Sequence, residues 1–378
     1  MSTIFYTDPE LVIALSKRII FVNPNDLQIF KEIVLPEDLT KCGLKIVTNT
    51  GNEGEQQEEE TKQQQNLSKE QPTLQHVKMS PNHQLLAVTT AGQKALLLYH
   101  LRPEHAKLVS IRSLARASSA LAFSSDSKRL LVTDKTGDCY EYDCENYEAV
   151  PKLLLGHLSI VYDILWSTDE KFIITCDRDD KIRVTNYPAT YDVHSYCLGH
   201  KEFVAGLELL NDDVLVTISG DKTLRLWDFK DGKELKSIEL PAPGIKFASK
   251  CLESGKYEIS VLLHQPNECV ATFNLSQKED KEWEFSTPQL LSFSDMICCN
   301  LCYAQDRLYV TGVVNDHLVV KLSANSPEAP LNWLKMVEEQ FKEYTWTPED
   351  ISAWFKKKYD NVTEYLERKK RRIEEKQK

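Results

Sequence analysis

Gly199-His-Lys-Glu-Phe-Val204 and Thr217-Ile-Ser-Gly-Asp-Lys-Thr-Leu-Arg-Leu-Trp-Asp228 decide the fold of this chain. A second Gly-His pair, Gly156-His157, lies 43 residues before the first. A repeat of about 40–45 residues with Gly-His near its start and Trp-Asp at its end is typical of a four-stranded unit. One such unit cannot bury both faces of its sheet, so several must stand side by side. The stretch therefore predicts a repeat scaffold.

Related segments recur upstream, each an alternating strand, a polar turn and a second apolar strand. Met79, Phe123 and Trp166 occupy the same place in three of them and are 44 and 43 residues apart. A further strand is predicted in each repeat, at Ala95–Tyr99, Cys139–Tyr142, Ile182–Asn186 and Leu224–Trp227. The period and the strand pattern are those of a WD40 β-propeller.

The flanking regions carry enough strand-like runs for three more blades. Leu11–Leu15, Ile19–Val22 and Ile29–Val34 predict the first blade, and Phe247–Leu291 and Phe293–Leu322 predict the last two. We therefore expect an all-β, seven-bladed WD40 β-propeller over residues 1–330. First and last blades of such rings usually share strands, and the sequence does not indicate how they meet here.

Two segments depart from the strand pattern. Asn49–Gln75 is almost free of apolar residues and has a net charge of about −4, which predicts a disordered acidic loop between the first two blades. After Pro330 the apolar spacing becomes helical. Leu331–Tyr344 is one predicted helix, and Thr347-Pro-Glu-Asp350 predicts the start of another. Residues 331–378 are expected to form a helical, basic C-terminal extension.

An apolar stripe along this extension leaves two interpretations open: it packs back on the propeller, or it docks on a partner or on RNA. Its members are Ile351, Trp354, Phe355, Tyr359, Val362, Leu366 and Ile373. The charge of the chain is also uneven. The net charge is −11, but Trp354–Lys378 carries ten Lys and Arg against five Asp and Glu. The acidic body should repel nucleic acid, whereas the basic tail should attract it.

Motifs for catalysis, metal binding and membrane insertion are missing. Cys299 and Cys302 form a lone C-x-x-C without the second pair that a zinc ribbon needs, so the ten cysteines are expected to be free thiols of an intracellular protein. No apolar run approaches the roughly 18 residues of a membrane span, and the first residues do not resemble a signal peptide. Nucleotide-binding, metalloprotease and hydrolase motifs are also absent. We expect a protein that is not an enzyme and holds no cofactor.

Four residues of the deciding stretch are predicted to form a structural tetrad that ties the layers of its blade together by hydrogen bonds. They are His200, Ser219, Asp221 and Trp227. The preceding blade has His157 and Asp179 at matching positions, but Asp177 replaces the Ser and Thr185 replaces the Trp. A His-Asp-Ser set also occurs in hydrolases, yet all members occupy repeat-defined positions, which favours a structural role.

Asp177-Arg-Asp-Asp-Lys-Ile-Arg183 is the most unusual turn of the chain, because both charge signs alternate within one bend. We call this segment the charged turn. A blade needs only Asp179 of these residues. The turn is either simply solvated or makes a patterned electrostatic contact with a protein partner. The residues predicted for that contact are Arg178, Asp179, Asp180, Lys181 and Arg183.

Leu155–Ser159, Phe172–Val184 and Tyr196–Val204 together closely resemble one WD-repeat family. This is the Wuho-type family, the non-catalytic subunit of tRNA (guanine-N7-)-methyltransferase. Asp134–Asp138 and Tyr359–Leu366 look like further marks of it. The resemblance covers about Leu121 to Asp228 well and the tail in part, whereas Asn49–Gln75 and Cys251–Ser326 carry no matching motif.

The resemblance implies a propeller that binds a separate catalytic subunit, which carries S-adenosylmethionine and forms N7-methylguanosine in the variable loop of tRNA. The propeller would stabilise that subunit and help to hold the tRNA. The family's contacts with the enzyme fall on the charged turn, although Asp179 is also a tetrad position. Basic tail residues would bind tRNA phosphates without reading sequence. They are Lys356, Lys357, Lys358, Arg368, Lys369, Lys370, Arg371 and Arg372.

The family and the basic run Arg368–Arg372 imply residence in the nucleus and leave the cytoplasm open. No membrane association is expected. The alternative function is that of a WD-repeat protein–protein hub, such as a ubiquitin-ligase adaptor or a genome-maintenance scaffold, which nothing in the blades excludes. Copurification of a methyltransferase with tRNA would separate the two. An enzyme in its own right is disfavoured by the absent motifs.

Overall fold

Seven antiparallel sheets follow one another along the chain and stand in a ring. The computed structural model describes residues 3–45, 70–101, 106–264, 269–293, 296–322, 341–345, 351–355 and 369–370. The innermost strand of each sheet lies against the innermost strands of the sheets on either side, and the first sheet contacts the last. The described residues therefore form the seven-bladed β-propeller that the repeat period predicts.

The strands of the blades are numbered in chain order. Blade 1 contains β1 (Thr3–Thr7), β2 (Glu10–Leu15), β3 (Arg18–Val22) and β4 (Ile29–Val34). Blade 2 contains β5 (Thr73–Met79), β6 (Leu85–Ala91), β7 (Ala95–His100) and β8 (Lys107–Ser113). Blade 3 contains β9 (Ser118–Phe123), β10 (Arg129–Asp134), β11 (Asp138–Asp143) and β12 (Lys152–Gly156). Blade 4 contains β13 (Val161–Trp166), β14 (Phe172–Asp177), β15 (Ile182–Asn186) and β16 (Val193–Cys197).

The remaining blades are less uniform. Blade 5 contains β17 (Val204–Leu209), β18 (Val214–Ser219), β19 (Thr223–Asp228) and β20 (Lys233–Glu239). Blade 6 contains β21 (Gly244–Glu253), β22 (Lys256–Leu263), β23 (Cys269–Gln277), β24 (Trp283–Phe285) and β25 (Gln289–Ser292), and both β24 and β25 pair with β23. Within the described residues, blade 7 contains β26 (Ile297–Ala304), β27 (Arg307–Val314) and β28 (His317–Leu322).

The polar turns recognised in the sequence repeats share one hydrogen-bonding pattern. In blade 4, the Ser167 hydroxyl donates to Asp169 (2.7 Å) and accepts from the Phe172 amide (3.0 Å). Blade 3 has the same bonds at Ser124, with Asp126 (2.6 Å) and the Arg129 amide (3.0 Å). Because the serine and the carboxylate supply the bonds of the turn locally, the Ser/Asp spacing joins the first two strands of each repeat.

In the part of the chain that the structure describes, blades 1 and 7 share no strand. Blade 1 is built entirely from residues 3–34, because Thr3–Thr7 supplies its innermost strand. The seam between the two blades is closed by apolar side chains from both and by Phe341 and Tyr344, which follow blade 7. A buried hydrogen bond from the Tyr309 hydroxyl to the Pro24 carbonyl (2.6 Å) also crosses it. Next to Tyr344, Thr345 forms an isolated bridge with His317 of β28.

Two sequence predictions need correction. The predicted loop extends too far, because Thr73–Gln75 lies in β5, where Leu74 is buried and donates its amide to the Ser16 carbonyl (2.6 Å). Residues 49–69 of that loop lie outside the described residues. Of the predicted C-terminal helices, Phe341 is helical, whereas Ile351–Phe355 contains a 3₁₀ turn over Ser352–Trp354. Within the described ranges, no helix is long and apolar enough to cross a membrane.

Candidate functional site

The charged turn lies at one defined end of the ring. Val161, the first residue of β13, pairs with Asp177, the last residue of β14. In blade 5, Val204 pairs with Ser219 in the same way. The end of the ring at which the innermost strands begin therefore also carries the turns between second and third strands, and we call it the top face. The charged turn is one of these turns.

Blade 5 contains the structural tetrad, but its hydroxyl comes from Thr217 and not from Ser219. The Trp227 indole N–H donates to Thr217 Oγ1 (2.9 Å), and Thr217 Oγ1 lies 2.8 Å from His200 Nε2. On the other side of the imidazole, His200 Nδ1 lies 3.0 Å from Asp221 Oδ2. Ser219 instead donates to the Glu202 carbonyl (3.2 Å). The prediction of Ser219 was wrong because it did not account for the register between β18 and β19. In this register Trp227 pairs with Leu215, and the indole reaches Thr217, two residues further along β18.

Burial and hydrogen bonds shift the pKa of both titratable groups of the tetrad. Burial lowers the pKa of His200, although Asp221 opposes it, and this direction favours the neutral imidazole. Burial alone would raise the pKa of Asp221, but hydrogen bonds from His200, Thr223 and Lys201 outweigh it and hold that pKa well below its ordinary value. A neutral imidazole donates through Nδ1 to the carboxylate and accepts at Nε2 from the Thr217 hydroxyl. Every polar group of the set is thus paired.

Blade 4 keeps only part of this arrangement. His157 Nδ1 lies 3.0 Å from Asp177 Oδ2, and His157 Nε2 lies 2.8 Å from Thr175 Oγ1. The carboxylate partner of His157 is therefore Asp177, which corrects the assignment of Asp179 to that role. Thr185 stands where blade 5 has Trp227, and its hydroxyl is buried without a hydrogen-bond partner. Since Asp177 serves the blade, Asp179 is not needed for it.

The backbone of the charged turn is held by Asp177 and by its neighbours. Asp177 Oδ1 accepts from the amides of Asp179 (2.9 Å) and Lys181 (3.0 Å). The Arg178 amide donates to the Ile160 carbonyl (3.0 Å) at the approach to β13. Asp180 has a φ of +67°, a conformation that Asp tolerates better than most residues. None of these bonds uses the side chains of Arg178, Asp179 or Lys181. Those side chains can therefore contact a partner without a change in the backbone of the turn.

Arg183 differs from its counterpart in blade 5. Arg183 pairs with Thr175 in blade 4, as Arg225 pairs with Thr217 in blade 5. Arg225 Nε donates to Thr223 (3.0 Å), and its Nη1 forms an ion pair with Glu234. Arg183 Nη1 donates to the Gly156 carbonyl (3.0 Å), but its Nε and Nη2 are buried without a partner. Within the described residues, no carboxylate forms an ion pair with Arg183 as Glu234 does with Arg225, so the charge of Arg183 is available to an acidic partner.

Exposed apolar side chains flank Arg183. Leu158, directly after His157, is fully exposed, Leu198 is 63% exposed, and Tyr196, which pairs with Arg183 across the sheet, is 43% exposed. No sequence pattern distinguishes these residues, because isolated apolar residues in strand ends are ordinary. Arginine and aromatic residues are enriched in protein interfaces, so Arg183 and Tyr196 fit an interface.

The C-terminal stripe packs back on the propeller where the structure describes it. Trp354 stacks on Tyr162 with ring centroids 4.6 Å apart, and Phe355 contacts Phe203 edge to face at 5.0 Å. Of the residues predicted to bind tRNA, Lys369 and Lys370 are helical and exposed. Lys356, Lys357, Lys358, Arg368, Arg371 and Arg372 lie outside the described residues, so their role stays a prediction.

Comparison with known proteins places the chain in a family. The family model "tRNA methyltransferase TRM82 WD40 domain" matches residues 40–150 and 143–275. The tRNA (guanine-N(7)-)-methyltransferase non-catalytic subunit wuho of Drosophila mojavensis is 54% identical, over 100% of this chain and 99% of that protein. The corresponding protein of Drosophila melanogaster is 48% identical, over 100% of this chain and 98% of its own length.

The chain belongs to this family of non-catalytic tRNA methyltransferase subunits. The family resemblance drawn from the charged turn is thereby confirmed. A chain of the crystal structure of the mitotic checkpoint complex matches with a TM-score of 0.63 at 12% identity, covering 85% of this chain and 86% of that one. At such low identity the match supports the propeller fold alone. Members of the wuho family are non-catalytic by name, which agrees with the absence of enzyme motifs in the sequence.

Proposed function

We propose that this chain is the non-catalytic subunit of a heterodimeric tRNA guanine-N7 methyltransferase and that it docks the catalytic subunit on the charged turn. The observation that carries the proposal is the turn of alternating charge at the top face, where Arg183 donates to the Gly156 carbonyl but has no acidic partner of the kind that Glu234 gives Arg225. Names and near full-length identities of the wuho relatives support the same assignment.

The geometry suits a contact that selects its partner. An acidic side chain of the catalytic subunit would pair with Arg183, while Arg178, Asp179, Asp180 and Lys181 present both signs of charge around it. Complementary charges of this kind favour the correct partner and suppress others. Leu158, Tyr196 and Leu198 would supply apolar area around the charged centre.

The catalytic partner would carry S-adenosylmethionine and the reacting groups, so this chain would bind no cofactor of its own. Its part would be to stabilise the catalytic subunit and to hold tRNA with the basic tail. The acidic body makes the tail the favoured place for phosphate contacts. The family and the basic run Arg368–Arg372 support residence in the nucleus and leave the cytoplasm open.

Reconstitution tests the proposal. The chain is mixed with the candidate catalytic subunit, complex formation is followed by size exclusion, and methyl transfer to tRNA is measured. We expect the chain alone to be inert and the pair to form a stable, active complex. Absence of a complex would contradict the proposal and would favour the hub alternative.

Ending the chain after Phe355 should lower both the affinity of the complex for tRNA and its salt dependence. The plot of log K against log salt should lose roughly 0.9 in slope for each duplex phosphate contact that the tail makes. Ending the chain there retains Trp354 and Phe355 on the propeller. Titration of tRNA at several salt concentrations measures the slope, and binding of the catalytic subunit, which should not change, is the control. An unchanged slope would remove the tail from the tRNA site.

A further inference from the structure

The segment after blade 7 touches the ring at two well-separated places on the top face. Its first contact is at the seam of blades 7 and 1, where Phe341 and Tyr344 are buried and the Leu318 amide donates to the Tyr344 carbonyl (2.9 Å). Its second contact is with blades 4, 5 and 6, through Ile351, Trp354 and Phe355. In a seven-bladed ring these places lie on opposite sides of the central channel.

The second contact is made by aromatic side chains at the channel mouth. Trp354 stacks on Tyr162 (4.6 Å) and meets Phe203 edge to face (5.6 Å), while Phe355 contacts Phe203 (5.0 Å) and His264 (5.7 Å). Tyr162 is the second residue of β13, Phe203 directly precedes β17, and His264 directly follows β22, so all three lie at the top face. We call Trp354 and Phe355 the aromatic anchor.

Trp354 of the aromatic anchor borders the central channel of the ring. The channel beneath it has a volume of about 670 Å³ and is lined by the innermost strands of all seven blades, with Trp354 at its edge. Polar side chains such as His76, Asp163 and Lys246 line the channel. Trp354 is buried in a core cluster with side chains of blade 5 and blade 6, and this packing holds the aromatic anchor at the mouth of the channel.

The anchor brings the start of the basic tail next to the charged turn. Tyr162, on which Trp354 stacks, is two residues from Ile160, whose carbonyl accepts from the Arg178 amide at 3.0 Å. The basic residues begin immediately after Phe355, with Lys356, Lys357 and Lys358. The packed anchor therefore sets the point from which the tail departs, on the same face as the turn.

We propose that Trp354 and Phe355 are positioning residues that fix the origin of the basic tail beside the site of the catalytic subunit, so that tRNA meets both at once. This inference rests on the proposed function. Without the anchor, the ten residues that separate Thr345 from Lys356 would act as a tether with a typical span of roughly 17 Å. The tail would then search a larger volume, and its effective concentration at the tRNA would fall.

Replacing both anchor residues, Trp354→Ala with Phe355→Ala, should weaken tRNA binding by the reconstituted complex about tenfold. The slope of log K against log salt should stay as in the unmodified complex, because the tail still reaches the same phosphates. The affinity of the double variant for the catalytic subunit should change less than about twofold. A chain with Trp354→Phe and the native Phe355 should keep most of the tRNA affinity, because phenylalanine preserves an aromatic contact. A merely structural role would not leave the salt slope intact while lowering tRNA affinity alone.

A second variant keeps the anchor packed and moves the tail. Ten Gly and Ser residues inserted between Phe355 and Lys356 should reproduce the loss of tRNA affinity at an unchanged melting temperature. If the double alanine variant fails to fold, the insertion variant still tests the positioning role of Trp354 and Phe355. Full tRNA affinity in the insertion variant would overturn the positioning role while leaving the proposed function intact. Failure of the unmodified chain to bind the catalytic subunit would instead overturn the proposed function.

Discussion

Replacing Arg183 with Met should weaken binding of the catalytic subunit by roughly 2–5 kcal/mol, which is about 30-fold or more in Kd. Methionine keeps the apolar stem and removes the guanidinium with its charge. A carboxylate of the catalytic subunit that pairs with that charge would be left buried and unpaired. Titration of the catalytic subunit by calorimetry measures the loss.

The free chain should tolerate this change, because the change removes a hydrogen bond from the Arg183 side chain to the Gly156 carbonyl and no ion pair of the described residues. The matched control is Arg225→Met at the equivalent position of blade 5. Arg225 is paired with Thr223 and Glu234, so its replacement should lower the melting temperature and leave the binding of the catalytic subunit unchanged. Equal affinity of the Arg183→Met chain and the unmodified chain would show that the enzyme docks elsewhere.

Replacing Thr217 with Val should destabilise the propeller by roughly 2–5 kcal/mol. Valine has the shape of threonine but removes the hydroxyl that joins His200 Nε2 to the Trp227 indole. His200 and Trp227 are both buried, so water cannot replace the lost hydroxyl. His200 Nε2 loses its hydrogen-bond donor, and the indole N–H loses its acceptor. The free energy of unfolding, measured by urea denaturation, reports the change.

Ser219→Ala is the matched control for Thr217→Val. It removes a neighbouring buried hydroxyl whose bonds go to the Glu202 carbonyl and the Asp221 amide rather than to the imidazole. We expect a loss of about 1 kcal/mol. If Ser219→Ala proved more damaging than Thr217→Val, the tetrad predicted from the sequence would be correct and the hydrogen bonds described above would be wrong.

These two positions illustrate what the sequence could predict and what it could not. The period of the repeats and the Gly-His and Trp-Asp ends suffice to predict the ring and four of its blades. They do not determine which of Thr217 and Ser219 meets the imidazole, because both lie in a strand buried on both faces. That choice depends on the register with β19, which no local pattern records.

The site shows the same limit. Alternating charge was enough to single out the charged turn, but the two Asp residues of blade 4 could not be ranked by position. The structure gives Asp177 to His157 and leaves Asp179 outside that pair. Likewise, helical spacing grouped Trp354 with Phe355, whereas their partners Tyr162 and Phe203 lie more than 140 residues away in sequence and no periodicity links them.

Because no strand of the described residues crosses the seam of blades 1 and 7, side-chain contacts join the first and last sheets of the ring, and we call these contacts the clasp. Opening the clasp breaks the Tyr309–Pro24 hydrogen bond and an apolar contact but no sheet. Hydrogen exchange of the amides of β1 should therefore proceed at a free energy below that of global unfolding. Blade 4, which carries the charged turn, stands opposite the clasp. Local opening of the seam would therefore leave a docked enzyme in place.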